Sequence, residues 1–495
     1  MAPNQIMLFG LSVDEAVPAD SDVRALSEVM DNLDWARVES GYFETGCPAY
    51  PPRVLAKILA YAYSKGVRSS RKIEELVEND KRYIWLAGGL RPDHNTLARF
   101  RKSRWSELLG LYGDTVRVSC ELGLVFLRVV SEDGSKIRAA ASTKSVYGES
   151  RVSRELAVVE KVMREAEEVD RAEDEQYGQS NGRELPDHLK DAAKRKQKLE
   201  EIGQKLKESK KSAIVTSEPE SRVMMSRDGK LPCYNLQAAV DAESQIIVGV
   251  RLTQSETDHG GLAGIIAEVE SNTGLSPGVS LADSGFSDEE TLKWLDESGR
   301  EALIPIQEQP QSAKRNDLFC SKCFVLDESK DVVICPAGRE LAYTLTTRTD
   351  SGTYRVYAAK GCKSCSFQKE CVGSTKGSKR IRINEIENLR EQMRQKLKSE
   401  EGQALFALRK QTVEPVFGQI KTNLGFDRLL LRGFEGALAE VALICMVHNL
   451  LKCVRKARSM ANAAAAAARL GFVLALAGRP GRMLLPGSQP SYAYR

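Results

Sequence analysis

The sequence predicts an α/β fold in which a sheet is preceded and followed by helical regions. Five short apolar segments rich in β-branched residues have the length and composition of strands: LVFLRVVSEDG, YNLQAAVDA, SQIIVGVRLT, GVSLADSG and EALIPIQ. From the second segment onward they alternate with apolar residues at helical spacing, in the order strand, strand, helix, strand, helix, strand. That order is typical of α/β sheets.

The remaining regions divide the chain further. Residues 1–124 form an all-helical domain, because apolar residues recur at helical spacing from Pro52 onward and glycines end each segment. Residues 125–310 together with 385–456 form the sheet domain. Two regions interrupt it: a charged helical insertion at 150–212 and a cysteine-rich insertion at 311–384. Residues 457–495 are a C-terminal tail, alanine-rich and then rich in glycine and proline.

Composition excludes several classes of protein. With 495 residues, 42% hydrophobic and 28% charged, the chain has the balance of a soluble protein with two to four domains. No secretory signal is evident, and the longest apolar run is interrupted by Arg469 and is mostly alanine, so we predict a cytoplasmic protein of bacterial type with no membrane span. The net charge of +4 is small, so binding to an acidic polymer would depend on local basic patches.

Three acidic residues have positions typical of an active site. Asp133 follows the first predicted strand, Asp283 follows the fourth, and Glu414 lies on a helix after the cysteine-rich segment. Carboxylates brought together at strand ends repel one another unless cations neutralise them, which two Mg²⁺ ions would do. Each residue also has an ordinary explanation: an Asp-Gly turn, a second turn, and a surface helix position.

Longer motifs favour the interpretation of these three residues as an active site. The segments DGSKIRAAAS, YNLQAAVD, LADSGFSDEETL and VEPVFGQIKTNLGFDRLLLRG closely resemble insertion-sequence transposases of the DDE superfamily, which is related to retroviral integrases. The helical segment AYSKGVRSSRKIEELVENDKRYIWLAGGLRPDHNTLARFRK resembles the N-terminal domain of the same transposases. In order, the resemblance covers roughly residues 50–455.

The resemblance implies an RNase H-like mixed sheet in which Asp133, Asp283 and Glu414 bind two Mg²⁺ or Mn²⁺ ions for DNA cleavage and strand transfer. It also implies that Lys421, two turns beyond Glu414 on the same helix face, contacts a DNA phosphate. Related transposases often have a Tyr and an Arg before the Glu. Phe406 stands at the Tyr position, so that hydroxyl contact is lost, and Arg409, at the Arg position, is predicted to contact DNA.

Six of the 11 cysteines lie between Cys320 and Cys371. They include two Cys-x-x-Cys pairs, which in a reducing compartment indicate a structural Zn²⁺ site, with an iron-sulfur cluster or simply reduced cysteines as alternatives. The resemblance favours Cys335, Cys362, Cys365 and Cys371 as the zinc ligands. Cys320 and Cys323 remain an alternative pair.

Further DNA contacts are expected from basic residues: Arg71, Arg99 and Arg101 in the helical domain and Lys136 beside Asp133. Charged helix faces are usually only solvated, but the position before the catalytic core favours binding to terminal inverted repeats. Cutting at two DNA ends implies a homodimer or larger assembly.

The alternatives are a non-catalytic DNA-binding transposase remnant or regulator, and a metal nuclease without strand transfer. Only four histidines occur, none beside an evident nucleophile, which argues against a hydrolase triad. His448 is predicted to be a core residue.

Overall fold

Helices and a mixed sheet share one continuous hydrophobic core in the computed structural model. The structure describes residues 12–40, 50–177, 187–209, 211–306, 323–327, 329–349, 352–372 and 378–477. The predicted α/β class and the helical N-terminal region are confirmed.

Seven helices precede the first strand in the part of the chain that the structure describes. Their bounds are Asp22–Asp31 (α1), Ala36–Glu39 (α2), Pro52–Ser64 (α3), Ser70–Asn79 (α4), Lys81–Leu86 (α5), His94–Ser103 (α6) and Trp105–Glu121 (α7). Proline begins α3, where its missing N–H breaks no helical hydrogen bond. The side chain of Asp93 accepts the backbone N–H of Thr96 at 2.7 Å and thereby caps α6. Local sequence thus sets where these helices begin.

The first strand, Val129–Arg138 (β1), is longer than predicted. The sequence predicts that it ends near Asp133, because an Asp-Gly pair is typical of a turn. That prediction is wrong. Backbone pairing with a later strand continues through Arg138, so Asp133 lies in the middle of β1.

The charged insertion consists of two long helices, Glu149–Tyr177 (α8) and Asp187–Ser209 (α9), as predicted. A two-stranded ribbon of Val146–Gly148 (β2) and Ala213–Val215 (β3) closes its base. Val152 and Val159 of α8 are buried, as are Leu199, Ile202 and Leu206 of α9. The two helices are therefore held together by a narrow apolar seam between otherwise charged faces.

Among the described residues, the central sheet contains six strands. Besides β1 they are Arg222–Ser226 (β4), Gly229–Asp241 (β5), Ile247–Thr253 (β6), Val279–Ala282 (β7) and Ala302–Leu303 (β8). The order is β4-β5-β1-β7-β8, with β6 paired to the second half of β5. β1 is antiparallel to β5 but parallel to β7, and β7 is parallel to β8. The predicted hairpin is the pair β5–β6, and the predicted helices between strands are Gly261–Thr273 (α10) and Glu289–Ser298 (α11).

The cysteine-rich region forms a second sheet, which the sequence does not predict. Its antiparallel strands, in the order β13-β12-β11-β10-β9, are Val325–Asp327 (β9), Val332–Ile334 (β10), Glu340–Thr349 (β11), Gly352–Ala359 (β12) and Arg380–Asn384 (β13), with the short helix Gln368–Val372 (α12) before β13. A small core of its own, including Leu341 and Tyr357, lies under one face of this sheet. Cys320 lies outside the described residues.

The C-terminal helices are Glu387–Lys398 (α13), Glu400–Gly418 (α14), which runs directly into a π-helix at Gln419–Asn423, and Phe434–Ala477 (α15). The sequence predicts one long helical region from Glu385 to Lys456, but residues 424–433 are not helical. Gly425 and Gly433 have φ angles of +69° and +83°, a left-handed conformation that ends or delays a helix.

The last helix joins the two ends of the chain. α15 packs against α7, α3 and α1, so the N-terminal helices and the sheet are parts of one packed body. Within the described residues, 434–462 of α15 are long and apolar enough to cross a membrane, but most of that stretch is buried inside the protein. α15 is therefore a core helix.

Candidate active site

Asp133 and Asp283 lie side by side at the centre of the main sheet. The parallel pairing of β1 with β7 ends with Glu132 opposite Ala282, so Asp133 is the next residue of β1 and Asp283 directly follows β7. Each carboxylate is oriented by a backbone N–H: Gly134 donates to Asp133 Oδ1 at 2.9 Å, and Gly285 donates to Asp283 Oδ1 at 2.8 Å. Two of the three predicted carboxylates therefore converge, because adjacent parallel strands place equivalent residues at the same height.

The surroundings of Asp133 disfavour the ionised form of its carboxyl group. Burial raises the pKa of this carboxyl to about 6, Arg409 opposes that shift, and the nearby charges of Asp283 and Asp258 add to it. The Arg409 guanidinium lies 2.9 Å from Asp133 Oδ1, and both side chains are largely buried. The sequence predicts that Arg409 contacts DNA, whereas its guanidinium is directed at Asp133.

Glu414 does not join this pair. Its side chain is exposed, and within the described residues it has no ion-pair partner. Glu414 follows Arg409 by five residues, which at about 100° per residue rotates it by about 140° around α14 from the face that meets Asp133. The expectation that all three carboxylates come together is therefore not met by this arrangement of α14.

Lys421 is turned towards β1 rather than towards solvent. Its Nζ donates to Ser135 Oγ and to the carbonyl of Lys136, both at 2.7 Å. Burial lowers the pKa of this ammonium group. Lys421 lies in the π-helix, so the α-helical spacing that would put it on the same face as Glu414 does not apply.

A third aspartate near the pair is missed by the sequence reasoning. Asp258, just before α10, is buried, and its charge contributes to the raised pKa of Asp133. It stands in the segment QSETDHGG, whose small and polar residues are typical of a loop. No signal in one sequence distinguishes it from an ordinary loop residue.

Two protein-family models match parts of the chain. Residues 334–454 match the model described as Transposase DDE domain, and residues 11–103 match the Transposase domain (DUF772). Both matches support a DDE insertion-sequence transposase. The first match contains Arg409, Glu414 and Lys421, and the second covers the helical N-terminal region. No curated protein and no solved structure matches the chain.

These family matches support a broad function, DNA transposition, and are consistent with DNA as the partner. The predicted DNA contacts differ in accessibility. Arg71 and Arg99 are exposed on the helical domain, and Lys136 is half-buried on β1.

Arg101 is not available to DNA, contrary to the prediction. It is only 3% exposed, and its guanidinium donates to Tyr63 Oη at 3.0 Å, to the Arg68 carbonyl at 2.8 Å and to Ser70 Oγ at 2.5 Å. The helical period places Arg101 on the inner face of α6, next to buried Phe100 and Leu97. Its role is to join α6 to the segment before α4.

The four favoured cysteines of the transposase line one small cavity under the second sheet: Cys335, Cys362, Cys365 and Cys371. Burial raises the pKa of the Cys371 thiol, and the other three sulfurs add to that shift, which shows how near they are. Backbone N–H groups of Arg339 and Lys379 donate to the sulfurs of Cys335 and Cys362 at 3.3 and 3.5 Å. Across the described residues, however, no group of three or more His, Cys, Asp or Glu side chains is arranged so that it could hold a metal ion.

Proposed function

We propose that this transposase hydrolyses the phosphodiester bond at each end of its element and joins the freed 3′ hydroxyl to target DNA. The observation that carries the proposal is the convergence of Asp133 and Asp283 on adjacent strands, facing Arg409. Buried carboxylates that repel each other lower the stability of the folded state, even beside a guanidinium. Such destabilising arrangements usually occur where function requires them.

The donor atoms suit a hard divalent cation such as Mg²⁺ or Mn²⁺. Asp133 and Asp283 offer carboxylate oxygens, which these ions prefer, and their mutual repulsion favours a cation between them. When bound, two such ions supply an activated water or hydroxyl and stabilise the leaving oxygen. We propose that Asp133, Asp283 and Glu414 hold them.

For Glu414 to take part, α14 must turn about its axis. Two features next to Glu414 weaken the helix there. Pro415 removes one backbone N–H from the helical ladder, and the π-helix begins only four residues later. We propose that this part of α14 rotates when DNA binds and brings Glu414 to the aspartates.

The chain's own basic residues orient the DNA in this proposal. Lys421 holds the β1 segment that follows Asp133 through its two hydrogen bonds, and Arg409 partly neutralises Asp133. Arg71 and Arg99 contact phosphates of the terminal repeats, while Lys136 contacts phosphate near the cut. Two DNA ends cut together imply a homodimer or larger assembly.

We also propose a structural Zn²⁺ held by Cys335, Cys362, Cys365 and Cys371. Support comes from the shared cavity and from the N–H groups directed at two of the sulfurs, an arrangement that stabilises thiolates. An all-cysteine shell has no open position, so this metal would stabilise the second sheet and take no part in cleavage.

The deciding experiment uses a labelled duplex that carries the terminal inverted repeat, with Mg²⁺ or Mn²⁺, and compares wild type with Asp133→Asn and Glu414→Gln. We expect both variants to bind the duplex and to lose cleavage. Asp427→Asn is the control, because Asp427 is exposed and its ion pair with Arg138, at 3.9 Å, is long. Cleavage by both variants at the wild-type rate would show that the site is wrong. A wild type that binds without cutting would favour the DNA-binding remnant, and cutting without strand transfer would favour a nuclease.

A further inference from the structure

Asp258 is held in a fixed orientation by two amide side chains of β5. Its Oδ1 accepts hydrogen bonds from Asn235 Nδ2 at 2.7 Å and from Gln237 Nε2 at 2.8 Å. Asn235 and Gln237 are two residues apart, so they project from the same face of the sheet, and both are buried. This face carries Asp258 above the centre of the sheet.

The carboxylate of Asp258 lies directly over the backbone that follows the two catalytic aspartates. A methyl group added at Gly134 would overlap it. A methyl group at Gly285 would come within 3.6 Å of Asp258 Oδ2 and within 2.8 Å of Asp283 Oδ1. Glycine at both positions therefore gives Asp258 room beside Asp133 and Asp283.

Hydrogen bonding alone does not explain a charged residue here. Both amides donate to the same oxygen, which the side-chain oxygen of an asparagine would supply equally well. Asp258 is only 9% exposed, and no ion pair to it occurs within the described ranges. A buried carboxylate without a cationic partner is destabilising, so a cation is the natural partner.

We propose that Asp258 is a positioning residue whose negative charge, directed at the Asp133–Asp283 pair by Asn235 and Gln237, strengthens the binding of a divalent cation by that pair. The inference rests on the proposed function, because it assumes that the pair binds the metal. It assigns Asp258 no contact with DNA.

The test is calorimetric titration of the full-length protein with Mn²⁺, comparing wild type with Asp258→Asn, Asp258→Ser and Asp133→Asn. Loss of a residue that supports metal ligands typically weakens metal binding by about 10- to 100-fold, and we expect this for both Asp258 variants. Asp288→Asn is the matched control, since Asp288 is a nearby carboxylate that caps α11 and accepts the Gly260 N–H, and asparagine also caps helices well.

A second readout separates charge from folding. In the cleavage assay, Asp258→Asn should need about tenfold more Mn²⁺ for half-maximal rate and should approach the wild-type rate at saturation. Asp258→Glu should recover part of the affinity because it restores the charge.

If the Asp258 variants bind Mn²⁺ as tightly as wild type while Asp133→Asn does not, the inference is wrong and the proposed function stands. If wild type and Asp133→Asn bind Mn²⁺ equally, or neither binds it, the proposed function is contradicted and the inference with it.

Discussion

Protonation of His448 at low pH is expected to lower the stability of the protein and to affect the position of α14, the helix that carries Glu414. Its Nε2 donates to the backbone carbonyl of Gln245 at 2.8 Å, while its Nδ1 is buried and has no partner among the described residues. A second proton would therefore be placed on Nδ1 without an acceptor. Burial lowers the pKa of His448 to about 4, and the positive charges of Lys452 and Arg455 act in the same direction.

The magnitude follows from the difference between this pKa and the ordinary value of 6.5. As the pH falls, this histidine is protonated in the unfolded chain before it is protonated in the folded one. The contribution of neutral His448 to the free energy of unfolding is therefore complete above pH 6.5 and is lost as the pH falls towards 4. At about 1.4 kcal/mol for each tenfold change in proton affinity, the loss is roughly 3 kcal/mol.

The contact between His448 and Gln245 also affects the candidate active site, because Gln245 contacts α14. Its side-chain amide donates to the carbonyl of Gln411 at 2.9 Å. That carbonyl lacks its usual helical donor, because the residue four positions later is Pro415. Protonation of His448 would loosen the turn that supports α14 immediately before Glu414.

The assay is urea unfolding of wild type and His448→Gln at pH 7.5, 6.0, 5.0 and 4.5, in the presence of EDTA. At pH 7.5 the substitution should cost about 1 kcal/mol, since glutamine can still donate to Gln245 but fills the site less well. Towards pH 4 wild type should lose roughly 3 kcal/mol more than the variant, so their order reverses. His259→Gln, which removes an exposed imidazole, should follow wild type. Parallel losses in wild type and His448→Gln would refute the reasoning.

Four further substitutions test other contacts. Gly134→Ala should lose about 1 to 3 kcal/mol of free energy of unfolding, measured by urea titration, because the new methyl group displaces the Asp258 carboxylate, and for the same reason it should need about tenfold more Mn²⁺ for half-maximal cleavage; a variant with wild-type stability and wild-type Mn²⁺ requirement would contradict this. Lys421→Met should cost about 1 to 3 kcal/mol, because it leaves two acceptors on β1 without their donor, and wild-type stability would exclude that role. Arg101→Ala should cost about 2 kcal/mol or more, whereas Arg99→Ala should leave stability unchanged and weaken binding to a labelled repeat duplex; the opposite result would return Arg101 to the DNA surface.

Much of the fold follows from periodicity. The helices before β1, the two charged helices, the β5–β6 hairpin and the helices on either side of β7 all stand where apolar spacing predicts them. The errors arise where local signals conflict with distant pairing. The Asp-Gly pair in β1 has the composition of a turn, but backbone bonds to β5 keep it extended.

The candidate site is only partly predictable for a related reason. Asp133 and Asp283 follow segments with strong strand patterns, so their convergence follows from strand order. Asp258 does not directly follow a segment with a strand pattern. Its role depends on two amide side chains of β5, which contact it only in the folded chain. Arg101 belongs to a basic segment, and only the rotation of α6 in the folded protein determines that Arg101 is buried while Arg99 is exposed.

By itself, the sequence determined the fold class, the family and the residue types of the site, because these depend on periodicity and on motifs that local segments carry whole. Tertiary structure decided which side chains face one another: it paired Arg409 with Asp133, set Asp258 beside Asp283 and left Glu414 exposed. The physical reason is that strand register and helix rotation are set by contacts between residues far apart in the chain, and a rotation of α14 by part of one turn exchanges Glu414 and Arg409 at the same aspartate.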